Sequence, residues 1–242
     1  MIRLYVSIQL FQEADLTLSE PESHYLMNVM RLKVGEEVHL FNEQNGQWRC
    51  HITCIGKKNV SLLIREQVSK PTKRERRVHA VLTPIKPKRL ELAVEKLTEL
   101  NVSDIHFIIT QRTQVRHINE QRLMLIAKEA AEQCERLDLP IIHNIIPLNP
   151  WVEIQAQNPL APILLMADER MAQKTIKETL LESPPQQDIA FIIGPEGGFG
   201  ELERKELSVL PNLVRVSLGP TILRAETAAI VLAGALHLET YG

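Results

Sequence analysis

The stretch IAFIIGPEGGFGELE, residues 189–203, holds the strongest fold signal in the chain. Five consecutive apolar residues, 189–193, read as a strand buried on both faces, as in a parallel sheet covered by helices. The strand runs into Gly194, Pro195, Glu196, Gly197, Gly198, Phe199 and Gly200, and then into a helix-like Glu201, Leu202, Glu203. Four glycines in seven residues let a backbone approach a ligand closely, and the carboxyl end of a parallel strand is where open α/β sheets bind ligands. The spacing is neither GxGxxG nor a Walker loop with its GK[ST], and the loop carries the acidic Glu196. A polyphosphate is therefore disfavoured, and a neutral or cationic nucleoside fits better.

The arrangement recurs about twenty residues on, with a strand at 213–217, the turn Leu218, Gly219, Pro220, Thr221, and a helix from about 223 to 238 that opens Arg224, Ala225, Glu226, Thr227. Two such turns at one sheet edge make a pocket of peptide amides and carbonyls suited to adenine, with Arg224 and Glu226 expected at its mouth. Upstream, strands are expected at 78–83, 104–110 and 163–167. Leu90, Ala93, Val94, Leu97 and Leu100 recur at helical spacing, as do Leu123, Ile126, Ala127, Ala130, Cys134 and Leu137. The pattern from residue 73 to 242 is that of an α/β domain, a doubly wound parallel sheet.

Residues 1–70 read differently. Short β-type runs at 4–8, 37–41, 48–55 and 60–64 are broken by Gly56 and by Asn45-Gly46, a hairpin turn. One helix fits at 20–30, with Ser19 as N-cap and Pro21 in its first turn. A small β-barrel or sandwich follows, and residues 69–77 look like its connection to the second domain.

Net charge is −2, yet from Lys70 to Arg89 there are eight basic residues against one acid, Glu75. Such a stripe is what phosphate contacts require, so Lys73, Arg74, Arg76 and Arg77 are expected to grip RNA. Charge reversal at Arg74, Arg76 and Arg77 should then weaken RNA binding and spare the nucleoside pocket. The three cysteines, Cys50, Cys54 and Cys134, have no metal spacing and read as reduced thiols, with Cys50 and Cys54 on one face of a strand. No apolar run approaches a membrane span and no secretory signal opens the chain, so a cytoplasmic location is expected.

FIIGPEGGFGELE and VSLGPTILRAETAAIVLAGAL, together with LTPIKPKRLELAVEKLTELNV and AKEAAEQCERLDLP, resemble the RsmE family of ribosomal RNA methyltransferases, within the SPOUT superfamily. SHYLMNVMRLKVGEEVHL is similar to that family's PUA-like RNA-binding module, with His24, Arg31 and Gly35 at matching positions. The resemblance spans nearly the whole chain. It implies a SPOUT-type trefoil-knotted parallel sheet with helices on both faces, a PUA-like β-barrel, and a homodimer with active sites near the subunit interface. It also implies S-adenosylmethionine as donor and N3 of a uridine in 16S, small-subunit, ribosomal RNA as acceptor, in free RNA or in the assembled 30S subunit. Cofactor contacts would fall on Leu165, Gly194, Pro195, Glu196, Gly197, Gly198, Leu218, Gly219, Ile222 and Leu223. RNA contacts would include Arg31, Gln133 and Arg136. Three departures stand out: Asn101 replaces the family's helix-ending glycine, which is mild because Asn also tolerates a left-handed C-cap; Thr221 replaces an arginine; and the family's small residues near Cys134-Glu135 are replaced, although Gln133 and Arg136 remain.

Methylating uracil N3 requires its proton to leave and the resulting anion to be held. Arg224 and Arg112 are the expected cations, and Glu226 the base or the residue that positions Arg224. Positioning supplies most of the rate, and no metal is called for. Two other readings stand beside this one: a non-catalytic RNA-binding ribosome-assembly protein, conceivable because of Thr221, and a ribose 2′-O-methyltransferase of the same superfamily. Donor binding separates the first from the enzyme, and the position of the methyl group separates the second.

Overall fold

The computed structural model describes residues 1–74, 76–168, 174–182, 184 and 186–241, so Glu75 of the basic run lies outside the described residues. By contacts the chain forms two units, Met1–Lys73 with Ala131–Leu139, and Arg74–Ala130 with Pro140–Gly242.

The first unit holds a five-stranded sheet of β1 (Arg3–Tyr5), β2 (Asp15–Thr17), β3 (Glu37–Asn42), β4 (Gly46–Ile55) and β5 (Val60–Ser69), in the order β1-β3-β4-β5-β2. β1 runs parallel to β3, and the other pairs are antiparallel. Among the described residues β1 and β2 are the edges of this small sheet, which forms the expected N-terminal β module. The turn at Asn45-Gly46 exists but is longer than a two-residue hairpin, because Asn42 already pairs with Gly46, and its side-chain oxygen accepts from the N–H groups of Gln44 and Asn45. The expected single helix is α1 (Glu20–His24) running into a π-helical turn, Tyr25–Val29, after which Arg31 turns the chain at φ 56°.

Residues 131–139 are pinned within this unit by Arg3. Its buried guanidinium donates to the carbonyls of Ala131, Glu132 and Arg136, and it lies 4.2 Å over the Phe41 ring. It thereby caps carbonyls at the end of α3 (Glu120–Gln133).

The cysteines show how a bulge redirects side chains. The β4–β5 register shifts between Ile52 and Cys54, so Cys50 faces the core while Cys54 is exposed, against the single face expected from their spacing. Burial pushes the Cys50 thiol up to about 12. A thiolate reagent should therefore modify two thiols of the folded protein, Cys54 and Cys134, and reach Cys50 only on unfolding. Mass spectrometry after brief alkylation checks this, and a third label on the native protein would contradict it.

The second unit is a six-stranded, wholly parallel sheet ordered β11-β9-β10-β6-β7-β8. Its strands are β6 (Val78–Leu82), β7 (Asp104–Ile109), β8 (Ile141–Pro147), β9 (Ile163–Ala167), β10 (Ile189–Ile193) and β11 (Leu213–Val216). Alternation along β10 assigns the two faces. Ile189, Phe191 and Ile193 join a core with α2 (Pro87–Glu99), α3 and α7 (Ala225–Tyr241). Ala190 and Ile192 join a second core with α4 (Leu148–Gln157) and α6 (Glu201–Leu207). Helices thus cover both faces, as the unbroken apolar strands require. A short α5 (Ile176–Leu181) completes the set, and among the described residues no helix is long and apolar enough to cross a membrane.

β8 and α4 occupy a region where the sequence pattern singles out no element, because Pro147 and Pro150 read as breaks. Helix α2 ends as its sequence suggests. Asn101 takes φ 65°, Val102 N–H donates to the Leu97 carbonyl and Asn101 N–H to that of Thr98, a complete Schellman motif.

Candidate functional site

The loop after β10 is built around close packing. Gly194 lies against the buried Phe199 ring, so that a Cβ at Gly194 would sit 2.9 Å from Cε2 of that ring. Gly198 N–H donates to the Pro195 carbonyl at 2.7 Å, closing a turn in which Gly198 holds φ 66°. The buried carboxylate of Glu203 accepts from Gly200 N–H (2.7 Å) and from Gln111 N–H (2.6 Å), tying the loop to the end of β7. Arg112, just beyond, donates to the Gly197 carbonyl. On the other flank Arg204 donates to the Phe199 carbonyl and to Asp168, whose buried side chain ends β9. The loop is clamped from the adjacent β9 and from β7, which lies two strands away beyond β6.

The second turn follows β11. Gly219 adopts φ 111°, and a Cβ there would meet no atom within 4 Å, so its backbone faces open space. Leu218 and Leu223 pack on the core, whereas Ile222 is 88% exposed. Sheet order puts β9 between β11 and β10, so the two turns stand about two strand spacings apart, roughly 10 Å. They are near neighbours over the end of β9, not immediate ones. Leu165, expected to touch the cofactor, is fully buried within β9 in the core.

Arg89, in the first turn of α2, joins the pieces. Its Nη1 donates to Glu196 of the first loop at 2.8 Å, and its Nε lies 3.5 Å from Glu226 at the start of α7. Glu226 was expected at the pocket mouth beside Arg224, and the structure turns it inward. It is 7% exposed and lines a small cavity with Leu82, Thr83, Leu90, Ile193 and Ala225. Residues two apart at a helix start point to opposite sides, so Arg224 and Glu226 cannot share one mouth. Arg224 is exposed, and its side chain makes no hydrogen bond or ion pair among the described residues, its carbonyl accepting from Ala228 N–H. Arg89 escaped the sequence reading except as one charge of a stripe. A signal existed: α2 opens with Lys86, Lys88 and Arg89 and no acid, the wrong sign for a helix N-terminus unless those cations serve something else.

Three arginines of the basic stripe have partners within the protein. Arg74 donates to the Asn101 carbonyl and to Ser103, Arg76 to the Pro184 carbonyl, and Arg77 through Nε and Nη2 to the buried Asp104. Three guanidinium groups expected on RNA are occupied inside the second unit, and Lys73 is exposed with no such partner among the described residues. Arg136 is likewise buried and paired with Asp138 at 2.8 Å, whereas Arg31 and Gln133 are exposed. Charge reversal at Arg77 would place a second carboxylate against Asp104. It should cost about 2–4 kcal/mol, discounted for the half-exposed arginine, and thermal denaturation would read it as a lowered midpoint. An unchanged midpoint with weakened RNA binding would restore the original reading.

The residues present suit a nucleoside bearing a positive centre. At Gly219 the second turn leaves open space, carboxylates of Glu196 and Glu226 are joined by Arg89, and both Thr83 Oγ1 and Glu226 Oε2 are buried without a hydrogen-bond partner. A parallel sheet with glycine-rich turns at its carboxyl edge and no phosphate-binding lysine defines a class of α/β proteins that hold an adenosyl ligand. Comparison narrows the class. An RNA methyltransferase domain model matches residues 72–237, and an RNA methyltransferase PUA domain model matches residues 18–65. Ribosomal RNA small subunit methyltransferase E of Rickettsia conorii is 36% identical over 98% of this chain and 95% of its own. A methyltransferase from Legionella pneumophila, solved with bound S-adenosyl methionine, is 30% identical with a TM-score of 0.86, covering 98% of this chain and 97% of that one. Ribosomal RNA small subunit methyltransferase E from Neisseria gonorrhoeae shares the fold, with a TM-score of 0.87 at 24% identity over 99% and 98% of the two chains. The chain belongs to the family of RNA methyltransferases that includes ribosomal RNA small subunit methyltransferase E.

Proposed function

We propose that the protein transfers a methyl group from S-adenosylmethionine to N3 of a uridine in 16S ribosomal RNA. The observation that carries this reading is the Arg89 bridge, which ties a carboxylate of the first glycine loop to one at the start of α7 and so makes one site of two turns. The near full-length likeness to small-subunit rRNA methyltransferases supports the acceptor, and the likeness to a structure holding the donor supports the cofactor.

Gly194, Pro195, Glu196, Gly197, Gly198, Leu218, Gly219, Ile222 and Leu223 would hold the donor, which supplies an electrophilic methyl group on a sulfonium. Arg224, exposed and with no side-chain partner among the described residues, would pair with the uracil oxygens and hold the N3 anion. Arg112 fixes Gly197 through its carbonyl and is a second cation at the same edge. Glu226 acts as a positioning residue through Arg89, since a buried carboxylate facing away from Arg224 is poorly placed to take the substrate proton. Arg31, Lys73 and Gln133 are the exposed groups left for RNA contacts, and the target base must leave its stack to be reached. We further propose a homodimer, because α7 is apolar nearly all round and exposes Val231 and Leu238.

Incubating small subunits and free 16S rRNA with labelled donor, then mapping the product by mass spectrometry, tests the reading. Label on uracil N3 is expected. Label on a ribose, or no donor binding by calorimetry at millimolar ligand, would overturn it in favour of a 2′-O-methyltransferase or an assembly protein.

A further inference from the structure

At the amino ends of the strands, opposite the glycine turns, three imidazoles gather around one carboxylate. Asp104 opens β7, His79 is the second residue of β6, His106 lies further along β7, and His143 lies on β8. Ladder pairing fixes them, because His79 stands opposite Asp104 and Val81 opposite His106, so His79 and His106 project from adjacent strands. Neither the nucleoside site nor the core needs this grouping.

His79 is the anomaly. Its Nδ1 is 3.4 Å from Asp104 Oδ2 and 3.4 Å from His106 Nε2. Both separations are long for a hydrogen bond in a part-buried cluster, where 2.7–3.2 Å is usual. Its Nε2 is buried without a hydrogen-bond partner. Among the described residues His79 thus has a long hydrogen bond to His106 through Nδ1 and none through Nε2. The spacing has another meaning: two donors about 2.05 Å from a tetrahedral zinc ion are about 3.4 Å apart.

We propose that His79 Nδ1, His106 Nε2 and Asp104 Oδ2 form a binding site for one divalent transition-metal ion of the zinc class. These donor atoms all lie within 4.8 Å of one another. Two imidazoles and a carboxylate, with a fourth position left to solvent, make a donor set zinc accepts. The surroundings match what metal-bound histidines use to fix ring orientation. Asp188 Oδ2 faces the far nitrogen of His79 at 3.6 Å, and His143 Nε2 holds the other oxygen of Asp104 at 2.9 Å. His143 also stacks on His106, with ring centroids 3.9 Å apart. Arg77 donates through Nε and Nη2 to the same Asp104 Oδ2, so a metal must displace at least one of these bonds and faces a nearby cation, which sets a modest affinity. Such an ion would clamp β6 to β7 at the sheet end remote from methyl transfer.

The test uses the full chain, stripped with chelator and titrated with Co²⁺ and then Zn²⁺. Expected are one equivalent of Co²⁺ with the visible absorption of a tetrahedral ion, its displacement by Zn²⁺, and a higher thermal midpoint with Zn²⁺. His106→Asn and His79→Asn should abolish the absorption while S-adenosylmethionine binding persists. Asp188→Asn should weaken metal binding about 10- to 100-fold. If a ligand variant fails to fold, anomalous scattering from crystals of the zinc-loaded wild type decides: a peak among the three side chains supports the site and a peak elsewhere overturns it. Absence of tetrahedral absorption, or binding that survives both histidine substitutions, would equally overturn it.

Discussion

Arg89→Ala is expected to lower kcat/KM for methylation about 10- to 100-fold and to weaken donor binding, although Arg89 follows neither glycine loop. Its guanidinium holds Glu196 at 2.8 Å and Glu226 at 3.5 Å. Without it Glu226, already buried with Oε2 unpartnered, loses its counter-charge, and the first loop loses its tie to α7. Leaving a buried polar group unsatisfied costs roughly 1–3 kcal/mol, and each 1.36 kcal/mol is about tenfold in rate. Arg89→Lys should recover little, because a single ammonium cannot reach two carboxylates as a planar fork does. Steady-state kinetics with calorimetry on both variants reads the effect. Wild-type kinetics in Arg89→Ala would remove the observation on which the single-site reading rests.

Gly194→Val should be at least as damaging, through sterics alone. A Cβ at Gly194 would stand 2.9, 3.1 and 3.2 Å from three atoms of the Phe199 ring, and that ring is 6% exposed and cannot swing into solvent. Phe199 also accepts from Arg204 through its carbonyl, so moving the ring pulls on the Arg204–Asp168 pair at the end of β9. Overpacking of this kind costs about 1–3 kcal/mol, and here the displacement falls on the loop that would hold the donor. Donor binding should fall below detection in Gly194→Val and by a smaller factor in Gly194→Ala. Phe199→Leu in the Gly194→Ala background should restore part of it, since residues in contact couple. Strict additivity of the two substitutions would place the loop's tolerance elsewhere.

Both predictions rest on residues of different legibility. Gly194 was visible at once, because four glycines after an apolar run have few structural uses. Arg89 was not, because the pattern of a helix reveals its apolar stripe and says nothing of what its first turn faces across space. The basic run from Lys70 to Arg89 misled for the same reason. Charge density can be counted along a sequence, but Arg74, Arg76 and Arg77 find partners 27, 108 and 27 residues away. Glu226 and Arg224 were placed together by adjacency and separated by helical geometry.

Sequence alone determined the class of the fold, the strand and glycine-turn pairs, the N-terminal module, the left-handed cap at Asn101 and the family, because each is written in local periodicity, turn chemistry or contiguous motifs. Tertiary structure decided which charges have partners within the protein, that β9 separates the two turns, that Leu165 lies in the core, and that three histidines gather near Asp104. These depend on strand order and register, which bring together residues far apart in the chain through contacts that no local pattern records.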